Sequence, residues 1–174
     1  MIDGISRKIL NILQRSARES NVDIARQVGL APSAVFERIR KLEDRGVIQG
    51  YEARLNPRAL DLGQVAFIYV RADEPIGSLR AGKELVQIPE VLEVHHIAGE
   101  DCYLVKVRVA DTEALGELLR VRFGAIETVR STRTTVVLST LKETAQLAIR
   151  SPEDETIAIR DERDIKETRE VVNG

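Results

Sequence analysis

Between residues 4 and 45 apolar side chains recur every three or four positions, and beyond residue 63 they gather in short β-branched runs. The first spacing belongs to helices packed on one face and the second to strands. Asp3 is placed to cap a first helix in which Ile5, Ile9, Ile12 and Leu13 share a face, leaving Arg7, Lys8, Asn11 and Gln14 outward. Asn21 is placed to cap a short second helix over 22–28, with Ile24, Ala25 and Val28 inward, and Gly29 ends it. Pro32 stands at the first position of a third helix, where a missing N–H costs nothing. That helix runs to about Arg45 with Val35, Ile39 and Leu42 on one face, and Gly46 stops it. Residues 47–55 then read as a strand or small β wing, ending at Asn56 and Pro57.

The second and third helices carry a spacing with a physical meaning. Ala25 is small enough for two helices to approach, Gly29 makes a sharp turn, and Val35 anchors the third helix at an angle that projects it outward. This is the spacing of a helix-turn-helix, although a three-helix core with a tight turn would use the same residues. Opposite Val35, Ile39 and Leu42 the third helix presents Ser33, Glu37, Arg40, Lys41 and Asp44, with Arg38 and Arg45 on its flanks. Ser33, Ala34, Glu37 and Arg38, near its N-terminal half, are placed to meet base edges, and Arg40, Lys41 and Arg45 to hold phosphates. An ordinary solvated charged face would carry the same residue types.

Residues 64–72, 91–98, 102–109 and 127–140 are rich in Val, Ile, Leu, Tyr and Thr and predict strands, with helical stretches at 76–87 and 112–123 between them. The order β-α-β-β-α-β predicts an antiparallel sheet with two helices on one face. The fold class is therefore α+β: an N-terminal three-helix winged helix-turn-helix and a C-terminal ferredoxin-like βαββαβ sheet. The expected boundaries are 1–56 for the helical domain, 57–63 for a linker, 64–142 for the sheet domain and 143–174 for a charged tail. Within that tail, 156–160 reads as a short strand and 161–172 as a polar helix. A sheet covered on one face should alternate apolar and polar residues, yet its first strand points Val65, Phe67 and Tyr69 one way and Ala66, Ile68 and Val70 the other. A second subunit is the simplest cover for that other face.

Composition narrows the function classes. Hydrophobic residues at 43% and charged residues at 31% describe a folded protein with an aliphatic core, since aromatics make up 3%. No stretch approaches the roughly 18 apolar residues of a membrane span, so no membrane partner and a cytoplasmic location are expected. A single cysteine, Cys102, makes no intrachain disulfide and no multi-cysteine metal site, and neither a metal nor a cofactor is expected. The net charge of −2 hides an asymmetry. Residues 1–60 carry +4, 61–148 carry −3 and 149–174 carry −3. A basic head of this kind is attracted to a phosphate backbone while the acidic remainder limits nonspecific adhesion.

The run from Asn21 to Tyr51, together with Leu55-Asn56-Pro57, Gly99 to Val107 and Thr132 to Val137, resembles the leucine-responsive regulatory protein and asparagine-regulator (Lrp/AsnC, feast/famine) family over about residues 1–142. The resemblance implies a cytoplasmic, nucleoid-associated transcription regulator that binds double-stranded DNA. It also implies a homodimer built through the C-terminal domain, dimers assembled into octamers or discs, and amino-acid effectors bound between them. The family's effector loop falls on Gly99-Glu100-Asp101 here, which implies an effector site of Gly99, Glu100 and Asp101 with Thr134 and Val136 of another subunit. A free N–H at the Gly99 turn would receive a carboxylate, and Asp101 or Glu100 an ammonium group. Two departures stand out. The loop's aspartate comes one residue early, with Cys102 in its usual place, and Ala31 replaces the serine that usually precedes the proline and caps the third helix.

Two further function classes fit parts of the sequence. Some proteins that resemble this family are sirohaem decarboxylases, for which His95 or His96 would serve haem chemistry. An architectural DNA-binding protein would keep the basic head and the oligomer without a ligand. No nucleophile, base and orienting group stand together in the sequence, so no catalytic residues are assigned and a regulator is the expected function.

Overall fold

The computed structural model describes residues 2–150, which form two compact units: residues up to 53 together with 144–150, and Arg54–Glu143. The expected strand at 156–160 and helix at 161–172 lie outside the described residues.

The first unit holds α1 (Gly4–Arg15), α2 (Asn21–Val28) and α3 (Pro32–Asp44). Asp3 caps α1 as expected, its carboxylate accepting from the Ser6 N–H at 2.8 Å. The cap of α2 is Ser20 and not Asn21. Ser20 has extended backbone and its hydroxyl accepts from the Asp23 N–H at 3.1 Å, whereas Asn21 is already helical. Gly29 sits at φ 71, a left-handed conformation that glycine enters without a Cβ penalty, and it ends α2. Ile9, Ile24, Ala25 and Val35 are the buried centre, with Ile5, Ile12, Leu13, Val28, Leu30 and Ile39 packed around them.

Residues 47–55 form no strand, which corrects the expectation of a β wing there. Val47 and Ile48 instead turn back and donate to the Leu42 carbonyl at 2.8 and 3.2 Å, closing α3. A strand needs a neighbour to complete its ladder, and none of the four described strands pairs with this segment.

The polar side of α1 is also not simply outward. Arg7, Asn11 and Gln14, at helical spacing, donate to the carbonyls of Arg150, Ile149 and Leu147 at 2.9, 3.0 and 3.2 Å. Gln14 accepts in return, its side-chain oxygen from the Leu147 N–H at 2.6 Å and its carbonyl from Gln146 at 2.9 Å. Residues 144–150, read from the sequence as the start of a tail, are therefore a strap along the first helix. Removing 151–174 should leave the protein folded and dimeric, and removing 144–174 should cost roughly 1–3 kcal/mol more as these hydrogen bonds are exchanged for water. Thermal melts of the two truncations check this, and equal melting temperatures would show the strap to be energetically idle.

The second unit is the antiparallel sheet β2-β3-β1-β4, with β1 (Gln64–Ala72), β2 (Val91–His96), β3 (Tyr103–Val109) and β4 (Val129–Val136). This is the strand order of the expected ferredoxin-like sheet. A 3-10 turn, Pro57–Leu60, precedes β1 within the segment read as a linker. One helix is shorter than expected: α4 spans Arg80–Leu85, because Glu74 and Ser78 shape the approach to it. α5 (Thr112–Glu117) continues as a π-helical segment, Leu118–Phe123, and covers the expected stretch. The last strand stops at Val136, short of residue 140; Val137 still donates to the Val65 carbonyl at 2.9 Å, and its partner β1 begins one residue earlier, at Gln64.

Ala66, Ile68 and Val70 face the helices and join Tyr103, Val105, Val107, Ala81, Leu85, Leu115, Leu118 and Phe123 in one buried core. Leu79 at the start of α4 supplies no side-chain cap. Glu74 takes over that role from a distance, accepting from the backbone N–H groups of Arg80 and Ala81 and from Ser78. It also accepts from the Tyr103 hydroxyl at 2.5 Å, which joins β3 to the start of α4. Gly82 faces that ring so closely that a Cβ there would stand 2.7 Å from a Tyr103 ring carbon.

Candidate functional site

Two surfaces collect the residues singled out in the sequence. On α3, Ser33, Glu37, Arg40 and Lys41 are exposed, as is Arg45 at its C-cap, and Ala34 is half-buried, while Val35 and Leu42 are buried beneath. Ala31 offers no side-chain cap, so the first turn of α3 begins with its N–H groups uncapped by a side chain. The helix thus projects a mixed polar and basic face from a unit whose core fixes its angle.

Arg38 departs from that face. Its guanidinium turns toward α1 and donates to Asp3 at 2.7 Å and to the Ser6 hydroxyl at 3.3 Å, leaving its side chain 33% exposed. The pair locks α3 against the cap of α1. Asp3 is held well below the usual carboxylate range, first by the Ser6 hydrogen bonds and then by Arg38. A carboxyl with a depressed folded pKa stabilises the fold at pH above its unfolded value of 3.8, and that contribution is lost as the pH falls through the folded value. Asp3→Asn keeps a capping oxygen and removes the titration. The variant should therefore lose less stability than the wild type between pH 4 and 2, and parallel acid melts would contradict this origin.

Sequence reasoning passed over Phe36. It lies on the exposed side of α3 with 52% of its surface open, three residues after Ser33 and four before Arg40. A large apolar residue among polar ones on the outward side was the available signal.

The second surface is the sheet face turned away from the helices. Register places His95, Leu104, Tyr69 and Arg133 in one row across it, and Glu93, Lys106, Phe67 and Thr135 in the next. Lys106 is 13% exposed and donates to Glu93 at 2.9 Å and to Glu143 at 2.5 Å, while Arg108 adds a longer contact to Glu143 at 3.3 Å. Burial works against the Lys106 charge, but the bonds to Glu143 and Glu93 outweigh it and raise its pKa. Both carboxylates are correspondingly lowered, with Lys106 as the leading cause.

The hairpin between β2 and β3 carries Gly99 at φ 134, with Glu100 exposed and Asp101 half-buried. Thr134 and Val136 lie on β4, across the sheet, in register with Ile68 and Ala66 and so on the helix side. One chain does not gather these five residues. What reaches the hairpin from β4 is Arg133, which donates to Asp101 at 2.9 Å and stacks 3.9 Å over the Tyr69 ring. Cys102 is half-buried, its thiol 3.5 Å from the Ala72 carbonyl. His95 stands 3.2 Å from Glu93, and the His96 ring lies 5.3 Å from that of Tyr103. Among the described residues no group of three or more His, Cys, Asp or Glu is placed to hold a metal ion, and no helix is long and apolar enough to cross a membrane.

Residues 2–49 match a winged helix-turn-helix DNA-binding domain, and residues 65–147 match the Lrp/AsnC ligand binding domain. The chain belongs to the Lrp/AsnC family. It is similar to the leucine-responsive regulatory proteins of Escherichia coli K12 and Klebsiella pneumoniae, each 36% identical over 152 residues that span 86% of this chain and 93% of theirs. Among solved structures it resembles a feast or famine regulatory protein from Mycobacterium tuberculosis complexed with L-methionine. That protein is 37% identical with a TM-score of 0.79, over 86% of this chain and 100% of the other. It also resembles a transcriptional regulator from Neisseria meningitidis in complex with L-methionine, 30% identical with a TM-score of 0.77, over 84% of this chain and 96% of the other. This Lrp/AsnC protein is a DNA-binding transcription regulator with the family's α+β architecture.

Proposed function

We propose that this protein binds specific DNA sites through α3 as a homo-oligomer and that an amino acid bound at the sheet unit modulates it. The observation that carries the reading is the exposed set Ser33, Glu37, Arg40, Lys41 and Arg45 on a helix whose opposite face is buried in a basic unit. In this reading Ser33, Ala34 and Glu37 meet base edges, and Arg40, Lys41 and Arg45 hold phosphates. Arg38 acts by fixing the angle of α3, since Asp3 and Ser6 already engage it. The protein works in the cytoplasm on nucleoid DNA, without a catalytic step.

Phe67, Tyr69 and Leu104, half-buried on the face away from the helices, supply the apolar centre of a dimer contact. An interface that covers a sheet should bury more than about 1,000 Å². Sedimentation at micromolar concentration should therefore show a dimer or an octamer, and a stable monomer would refute the contact.

The effector site is centred on Gly99, Glu100 and Asp101, completed by Thr134 and Val136 of another subunit. The two L-methionine complexes among the solved relatives support an amino acid as ligand. The Asp101 and Arg133 pair has the charges that a zwitterion needs, a carboxylate for its ammonium and a guanidinium for its carboxylate. Calorimetry with L-methionine and the other common amino acids tests this. At least one should bind the wild type and bind Asp101→Ala more weakly. Equal affinities would remove Asp101 from the site, and no binding by the wild type would leave the hairpin as an assembly contact.

A further inference from the structure

Phe36 is an exposed aromatic at the edge of the proposed DNA-reading face. It is 52% exposed and stands outside the buried cluster of Ile9, Ile24, Ala25 and Val35, so it is not needed to fill the core. It neighbours Ser33 and Arg40 at the three- and four-residue spacing that brings helical side chains together. Arg40, one turn on, is exposed on the same side, and Lys41 and Arg45 are exposed farther round and along the helix, so the ring sits on an element whose cations suit a polyanion better than an apolar protein partner. An apolar ring that enters a major groove beside a phosphate-holding cation meets one apolar group there, the C5-methyl of thymine.

We propose that Phe36 is a specificity-determining residue that reads a thymine methyl in the major groove. The inference rests on the DNA-binding reading of α3 and goes beyond it, because it assigns one side chain to one chemical group of one base. Phe36 makes no charged contact with the backbone, so it contributes to sequence choice without contributing to salt dependence.

The test uses the full chain and duplexes that it selects from a random-sequence pool. Each thymine of the selected site is replaced in turn by deoxyuridine, which removes the methyl and keeps the base pair. Wild-type affinity should fall about fourfold at one or two positions per half-site, the loss expected for one buried methyl-sized group. Phe36→Ala should bind the thymine and deoxyuridine duplexes equally at those positions and keep the wild-type salt slope. Phe36→Gln preserves the length of the side chain and favours the helix, and it should lose the same discrimination, so the inference does not depend on one variant's stability. Wild-type affinity that ignores every methyl, or discrimination that persists in both variants, would overturn the proposal while leaving the DNA-binding reading in place. Failure of the wild type to select any sequence would overturn both.

Discussion

Replacing Arg40, Lys41 and Arg45 together by alanine should lower affinity for duplex DNA by about a hundredfold or more near physiological salt. It should also flatten the logarithmic salt dependence by roughly 2.7 per engaged subunit, because each lost phosphate contact removes about 0.9. All three side chains are exposed, Arg40 and Lys41 on α3 and Arg45 at its C-cap, so the triple variant should melt with the wild type. Arg38→Ala should behave in the opposite way. Its guanidinium holds Asp3 and the Ser6 hydroxyl, so its loss should lower the stability of the helical unit with little change in salt slope. Binding curves at several salt concentrations separate the two effects, and an unchanged slope in the triple variant would place the phosphate-facing side elsewhere.

The largest stability effect should come from Tyr103, which is 1% exposed at the start of β3 and bonded to Glu74. Tyr103→Ala should cost about 3–5 kcal/mol through the cavity it leaves. That is a large part of the roughly 5–15 kcal/mol that holds a domain folded. Tyr103→Phe keeps the ring and should cost about 1–2 kcal/mol for the hydrogen bond and the carboxylate left without its donor. Burial, and after it the bond to Glu74, pushes the Tyr103 hydroxyl up to about 12 from its ordinary value of 10.0. A folded pKa raised in this way gives stability that is complete below pH 10 and is lost as the pH rises toward 12. Urea unfolding should show that alkaline loss in the wild type and not in Tyr103→Phe. A wild-type midpoint in Tyr103→Ala would contradict the packing.

These effects sit on parts of the fold that differ in how plainly the sequence announces them. Helices α1 and α3 follow from one-sided apolar spacing with Asp3 and Pro32 at their starts, and the four strands from β-branched runs. The cap of α2 was less plain, since Ser20 and Asn21 are both good caps and local geometry chooses between them. The absent strand at 47–55 was illegible for another reason. Its β propensity is real, but a strand exists through a partner, and the pairing of distant segments is not written in local spacing.

The same distinction governs the sites. The outward face of α3 was readable from helical periodicity, because burial of Val35 and Leu42 fixes which residues point away. The destination of Arg38 was not, since the Asp3 that captures it lies 35 residues earlier in the chain. Likewise Gly99-Glu100-Asp101 was visible as a turn, whereas Arg133 reaches it from a strand two positions away in the sheet. The strap escaped notice because residues 144–150 have no periodicity of their own. They are held by backbone carbonyls, which every sequence possesses.

Sequence-specific DNA binding modulated by an amino acid can be measured by fluorescence anisotropy on two duplexes, a selected site and its scrambled counterpart. Both are titrated at one salt concentration with and without each of the common amino acids, L-methionine among them. The selected site should bind about a thousandfold or more tightly than the scrambled one, and at least one amino acid should shift the affinity for it. Equal affinity for both duplexes, unmoved by any amino acid, would contradict the proposed function.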